Sequence, residues 1–377
     1  MQKLAKNLAL IVCCALLGWA QTPETRQTAT IASGLEHLQI KRGDFTAEQG
    51  DRWLINVLLV DPHLIRLELG LALDEILGVE AASSIAARHG AIAAINGGYF
   101  RTGGLYRGEQ MGALFSHRQL LSEPARGRAA LALAERGGQT RAATALVTAQ
   151  AELHVGKVAR AINGFNRPRE KDELIVFTPE FHRTTLTAAD GLEAVVVRGR
   201  VTAVRDGAGS QIIPANGWVI SAHGAAREWA LQHLRSGVRV ARKTEFKAEP
   251  PLPFNADVII GAGPRLLAAG QALGESEPGF NAETFYRARH PRTALGWRAD
   301  GRFVLVAVDG RQPRISVGMT IPELAALMRE LGCVEAINLD GGGSTTLVIQ
   351  NKVINSPSDP AGERAVSDAL LLFARKR

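Results

Sequence analysis

Short apolar runs punctuated by glycine, asparagine and aspartate recur along the chain, and two of them end alike. Residues 91–95 form an unbroken apolar run followed by Asn96-Gly97-Gly98, and a run from Val334 leads through Asn338 and Leu339 into Asp340-Gly341-Gly342-Gly343-Ser344. Runs of this length between turn signals predict buried strands, each with a polar side chain at its mouth. A third run, 303–308, ends on Asp309-Gly310-Arg311. Residues 53–60 and 64–69 read as paired strands joined near Asp61-Pro62, and further short strands are expected at 129–133, 174–178, 194–197 and 218–222. Helical spacing takes over in three places. Residues 82–89 read as a helix feeding the 91–95 strand, and 225–236 as an amphipathic helix ended by Gly237. The clearest is 321–331, where Thr320 and Glu323 form a capping box, Ile321, Leu324, Ala325, Met328 and Leu331 share a face, and Gly332 supplies the stop. This mixture predicts an α+β (mixed α/β) fold: a mixed β-sheet core with flanking helices, its site at strand ends.

The amino-terminal pattern differs. Lys3 and Lys6 precede an apolar stretch, residues 8–17, and Gly18-Trp19-Ala20 stands before Gln21, the layout of a signal peptide over residues 1–20. The stretch is short for a membrane span, so no stable span is expected after cleavage and the protein is expected to be exported, periplasmic or secreted. Residues 21–30 are polar and read as a flexible segment. Residues 31–377 read as one domain, with a divergent insertion or subdomain at about 115–250 where motifs thin out. Cys13 and Cys14 fall within the signal, which leaves Cys333 without a disulfide partner. The net charge of +7 loses two with Lys3 and Lys6, and aromatics make up 5%. So mild a basic excess, with no basic run interleaved with stacking residues, argues against nucleic acid and suits anionic glycans.

The glycines suggest chemistry as well as a turn. Gly341, Gly342 and Gly343 escape the Cβ penalty on positive φ, so their N–H groups can face one point and hold an anion beside Asp340. The same residues would also serve a plain hairpin between 338–340 and 345–349. Arg292 and Arg311 offer guanidinium forks that match phosphate or carboxylate oxygens. Arg292 could instead bridge to Asp309 structurally. Other chemistries lack their residues. Nine histidines occur without an HxH, an HExxH or a cysteine pair, so no metal site is expected. Gly261-Ala262-Gly263-Pro264 is no dinucleotide fingerprint, and residues 342–346 lack the last glycine of a nucleophile elbow. No cofactor is expected.

Several longer motifs stand in fixed order: Asn96-Gly97-Gly98-Tyr99-Phe100, residues 290–297, residues 306–332 and residues 336–346, closing with Asn355-Ser356-Pro357-Ser358 and Val366-Ser367-Asp368. Together they resemble the phosphodiester glycosidase family, over roughly residues 30–375 and most strongly at about 285–370. The resemblance implies a hydrolase that cleaves the glycosidic C–O bond of a sugar 1-phosphodiester of the N-acetylglucosamine type, with a phosphorylated glycan or sugar phosphate as partner. The leaving group of such a substrate is already a stable anion. Neutralising its charge then matters more than protonating it. Asp340 is therefore expected as nucleophile or general base, with Asp309 the second candidate and Glu109 the third. Arg292, Arg311, the amides of Gly341, Gly342 and Gly343, and Ser344 are expected around the phosphate. Asn96, with Gly97 and Gly98 beside it, and Asn338 suit sugar hydroxyls, since an amide both donates and accepts. Asp368 and Arg364 belong to the matching tail without an assignable role, and Tyr99 and Phe100 read equally well as core. Two other classes stay open: a phosphodiesterase that cuts the P–O bond, and a non-catalytic envelope glycan-binding protein.

Overall fold

The computed structural model describes residues 23–48, 50–274 and 277–376, and the expected signal peptide lies outside them. The α+β expectation is overturned, because the chain is mainly β, 46% strand against 11% helix, in several antiparallel sheets. The three expected helices form, as Ala82–His89, Gly224–His233 and Ile321–Glu330, but the stretches without a clear period are strands too. The longest is Gln139–Val155, rich in alanine and threonine, which pairs with Val240–Glu249 from Leu146 opposite Glu249 to Val155 opposite Val240. Alanine favours helix locally. Cross-strand partners override that preference here.

The central sheet has eight strands in the order Glu24–Ala32, Leu35–Arg42, Trp53–Val60, Phe303–Val308, Arg292–Arg298, Cys333–Asn338, Arg265–Ala268, Gln271–Ala272. Its inner strands are apolar throughout because both faces are covered. On one face, helix Ile321–Glu330 sets Leu324, Leu327 and Met328 against Val304, Val306 and Ala336. On the other, Leu295, Leu305 and Ile337 enter a core shared with Ile95, Leu131, Phe177 and Leu370, so residues from the 115–250 stretch are packed into the same interior. The helix starts at the expected capping box, where Thr320 Oγ1 accepts from the Glu323 N–H and the Glu323 carboxylate accepts from the Thr320 N–H at 2.9 Å. Thr320→Ala is expected to cost about 1 kcal/mol of stability, read as a lowered urea midpoint. An unchanged midpoint would show that this cap contributes nothing.

Two local expectations are corrected. Residues 53–60 and 64–69 do not pair: Trp53–Val60 lies between Leu35–Arg42 and Phe303–Val308, whereas Ile65–Leu71 sits beside Asp368–Ala374 in a second sheet. At the turn between them the Asp61 carbonyl accepts from the N–H groups of Leu64 and Ile65, which carries the chain from one layer to the next. Each run thereby finds a partner strand that is largely buried. The segment expected to be flexible contributes Glu24–Ala32, an exposed edge strand paired with Leu35–Arg42, whose Arg26 pairs with Glu24 and whose Glu24 in turn binds Arg42.

The second sheet runs Lys352–Val353, Leu347–Ile349, Ala93–Asn96, Asp368–Ala374, Ile65–Leu71. Sheets of seven and five strands take up most of residues 114–261. Strand Val258–Gly261 of the seven-stranded sheet passes through a short connection into Arg265–Ala268 of the central one, which joins the two sheets beside the site.

Candidate active site

Strand ends meet at the seam between the central and second sheets. Arg292 opens its strand opposite Val308, Ala294 faces Asn338 at the end of Cys333–Asn338, and Ala369 faces Asn96. Asn96 is buried and holds the seam closed. Its Oδ1 accepts from Thr293 Oγ1 at 2.8 Å and from the Thr346 N–H at 3.1 Å, and its Nδ2 donates to the Asp340 carbonyl at 2.7 Å. This amide is spent on the protein rather than held out to a sugar. Asn338 is also buried. Its Nδ2 lies within 3.0 Å of the Gly263 carbonyl and 2.8 Å of Tyr99 Oη, while its Oδ1 has no partner among the described residues.

The first glycine after Asn96 is required by a residue whose role the sequence does not reveal. The buried Asp368 carboxylate accepts from the Gly98 N–H at 2.8 Å and from Ser367 Oγ at 3.0 Å, and a Cβ on Gly97 would collide with its Oδ1. The Gly97 carbonyl in turn accepts the Asp340 N–H at 3.0 Å, so Asp368 positions the loop on which Asp340 rests. Burial pushes the Asp368 carboxyl above its ordinary range.

Asp340 lies half-buried at the centre of this arrangement. Burial pushes its pKa up to about 6; the Ser344 hydroxyl, the Gly341 N–H at 2.9 Å and the charge of Arg364 pull against that rise, and Asp368 adds to it. The triglycine turn beyond it differs from a free N–H nest. The Gly341 amide serves Asp340 itself and the Gly342 amide donates to the Pro291 carbonyl at 2.9 Å. The glycines are needed for what lies above them. Gly342 adopts φ +61°, and a Cβ there would come 3.1 Å from Arg311 Nη2; a Cβ on Gly343 would collide with the guanidinium of Arg364. Two guanidinium groups therefore lie on the turn that follows Asp340.

Their partners differ. Arg364 Nε donates to Asp359 at 2.8 Å. Arg311 has no carboxylate partner among the described residues, and its Nη2 lies 3.1 Å from His290 Nδ1. His290 Nε2 faces the Thr284 carbonyl at 2.8 Å and must donate there, which leaves Nδ1 as the acceptor. Arg292 is buried behind this pair, held by carbonyls alone: Nε donates to Met319 at 2.8 Å and Nη2 to Ala288 at 3.0 Å. Burial brings its pKa down to about 10. It does not bridge to Asp309.

Asp309 and Glu109 are placed differently from Asp340. Asp309 is fully buried, with its oxygens taken by Asn355 Nδ2 at 2.9 Å and the Ser356 N–H at 3.0 Å, and burial pushes its pKa up to about 7. Glu109 is buried with Arg101 Nε at 2.7 Å. Neither shares a hydrogen bond or ion pair with Asp340 among the described residues. Tyr99, readable as core, instead donates from Oη to the Gly263 carbonyl at 2.8 Å and packs at a tilt against Phe280, beside the guanidinium of Arg128. The signal for Asp368 and Arg364 was present in the closing motif, but nothing in one dimension shows that they reach the two glycine turns.

Residues 190–373 match the phosphodiester glycosidase family. Over that stretch, just under half of the chain, the sequence is similar to that family. An uncharacterised prophage-derived protein of Bacillus subtilis is 40% identical over 123 residues, 31% of this chain and 19% of that protein. The N-acetylglucosamine-1-phosphodiester alpha-N-acetylglucosaminidase of Mus musculus is 37% identical over 75 residues, 20% of this chain and 14% of that enzyme. The chain thus spans less than a fifth of either curated relative. The crystal structure of a candidate exported protein from Burkholderia pseudomallei superposes with a TM-score of 0.81 and 26% identity, covering 98% of this chain and 100% of that one. No helix among the described residues is long and apolar enough to cross a membrane.

Proposed function

We propose that this chain is an exported hydrolase that cleaves the glycosidic C–O bond of a sugar 1-phosphodiester, releasing free sugar and a phosphomonoester. The observation that carries this reading is the seating of Arg311 and Arg364 on Gly342 and Gly343, beside the half-buried carboxylate of Asp340. Asp340 acts at the anomeric carbon as nucleophile or general base. The guanidinium groups hold the departing phosphate, whose negative charge they neutralise as the bond breaks. Arg292 adds positive charge from behind, Asp368 positions the Asn96-Gly97-Gly98 turn, and Asp309 fixes the 355–356 segment against the central sheet. Tyr99 and Phe280 offer ring faces for the sugar.

Hydrolysis of an N-acetylglucosamine 1-phosphodiester in water enriched in oxygen-18 tests the bond cleaved. Label in the released sugar is expected, and label in the phosphate would replace this reading with P–O cleavage. The pH profile supplies a second check. Burial raises Asp340 to about 6, so the group is ionised above that pH and protonated below it. A nucleophile or base works ionised. The value of kcat/KM is therefore expected to fall roughly tenfold per pH unit below about pH 6, and a flat profile from pH 5 to 8 would remove Asp340 from the role.

A further inference from the structure

A cavity of about 690 Å³ lies away from the seam, against Phe115, Phe246 and Phe254 of the seven-stranded sheet and the loop that covers it. A second of about 320 Å³ shares Phe115, Arg118 and Phe246 with the first and adds Phe165 and Arg242. The two form one trough on either side of the Phe115–Phe246 pair, whose rings stand 6.3 Å apart.

The charges along this trough are unbalanced. Arg136 in the larger cavity is paired with Asp257, but Arg118 and Arg242 have no carboxylate at ion-pair distance among the described residues. Arg242 is half-buried and held in place, its Nη2 donating to Gln119 Oε1 at 3.1 Å and its guanidinium 4.9 Å from the Trp218 ring. Burial holds its pKa below the ordinary arginine value, and Glu180, which opposes that shift, lies beyond ion-pair distance. Arg118 is presented by an unfavourable turn. His117 and Arg118 adopt φ +50° and +63° in the two-residue hairpin between Leu114–Ser116 and Gln119–Ser122. The neighbouring hairpin of the same sheet meets that geometry with Gly137 and Gly138, the residues such a turn favours.

We propose that the trough is a second carbohydrate subsite, which takes an acidic sugar unit bearing phosphate or carboxylate on the Arg118 and Arg242 guanidinium groups, with the sugar ring against Phe115 and Phe246. Guanidinium forks match either oxyanion, and aromatic walls accept the apolar face of a pyranose. That the ligand is a carbohydrate rests on the proposed sugar-phosphodiester function; that it is anionic rests on the unpaired arginines. Ile259 lines the trough, and Gly261, two residues or ~7 Å along the strand, packs its carbonyl on Gly98 of the seam.

The test is calorimetric titration of the full chain carrying Asp340→Asn with three oligosaccharides: neutral maltohexaose, an oligogalacturonate and a phosphorylated mannan oligosaccharide. Binding of one or both acidic chains and not of maltohexaose is expected, with a response to carboxylate, to phosphate or to both naming the anion. Arg118→Ala and Arg242→Gln are each expected to weaken that binding roughly tenfold or more, and to leave kcat/KM on a small sugar 1-phosphodiester unchanged in the chain that retains Asp340. Equal binding of maltohexaose, or unaltered affinity in both variants, would overturn the subsite. Failure to turn over the small phosphodiester would instead strike the proposed function and leave the anion-binding result standing.

Discussion

Asp340→Asn is expected to lower the turnover of a sugar 1-phosphodiester by roughly 10²- to 10⁴-fold, the range a positioned acid–base or nucleophilic group supplies. The substitution keeps an oxygen for the Gly341 N–H and a polar partner for Ser344, so the turn that follows has no reason to rearrange. Stability separates a lost reactive group from a damaged fold. The pKa of Asp340 is raised in the folded chain, so between the unfolded value of about 4 and the folded value of about 6 the native state binds the extra proton, and stability declines as pH rises through that window. Above it the ionised carboxylate is a burden on the fold. The asparagine variant should therefore have a urea midpoint at pH 8 equal to or above that of the parent while being nearly inactive. Retention of activity within a few-fold of the parent would exclude Asp340 from the chemistry; a lowered midpoint with lost activity would reassign it to structure.

How much of this site is readable from the chain depends on whether a residue's role is local. Asn96, Arg292, Asp309, Asn338 and Asp340 were findable because each ends or opens an apolar strand run, and antiparallel register then gathers those ends at one seam. Their individual jobs were less readable. Asn96 looks free for a ligand in one dimension, but its amide is consumed by Thr293, Thr346 and the Asp340 carbonyl, all contributed by other strands or turns. The triglycine reads as an anion nest because glycine permits one, yet two of its amides are used internally and the absent Cβ atoms make room for Arg311 and Arg364. Asp368 explains Gly97 and takes the Gly98 N–H, a contact across 270 positions that no local pattern encodes, and the Gly261 carbonyl crowds Gly98. The fold class fails for the same reason. Gln139–Val155 and Val240–Glu249 have little periodicity of their own and become strands through each other, so the helices, which carry their signals locally, weighed too heavily in the α+β expectation.

The two arginines on the glycine turn carry the second large effect. Arg311→Gln and Arg364→Gln are each expected to reduce kcat/KM on a sugar 1-phosphodiester by roughly 10²- to 10³-fold, the loss typical of a preorganised donor that meets charge developing in the transition state. Neither side chain is buried in the core, and Arg364 gives up an ion pair with a partly exposed Asp359, so the fold should tolerate both changes. The control is a 4-nitrophenyl glycoside of the same sugar. Its leaving group carries no phosphate, so a guanidinium devoted to phosphate gives it no special help, and the variants should act on it within roughly threefold of the parent enzyme. Gly343→Ala provides an independent route to the same loss, because its Cβ would drive the Arg364 guanidinium off the turn without changing any charge. Equal losses on both substrates would mean that the arginines hold Asp340 in place rather than hold the phosphate, and the specificity for a phosphodiester would then have to come from another guanidinium, Arg292 buried behind them or Arg128 beside Tyr99.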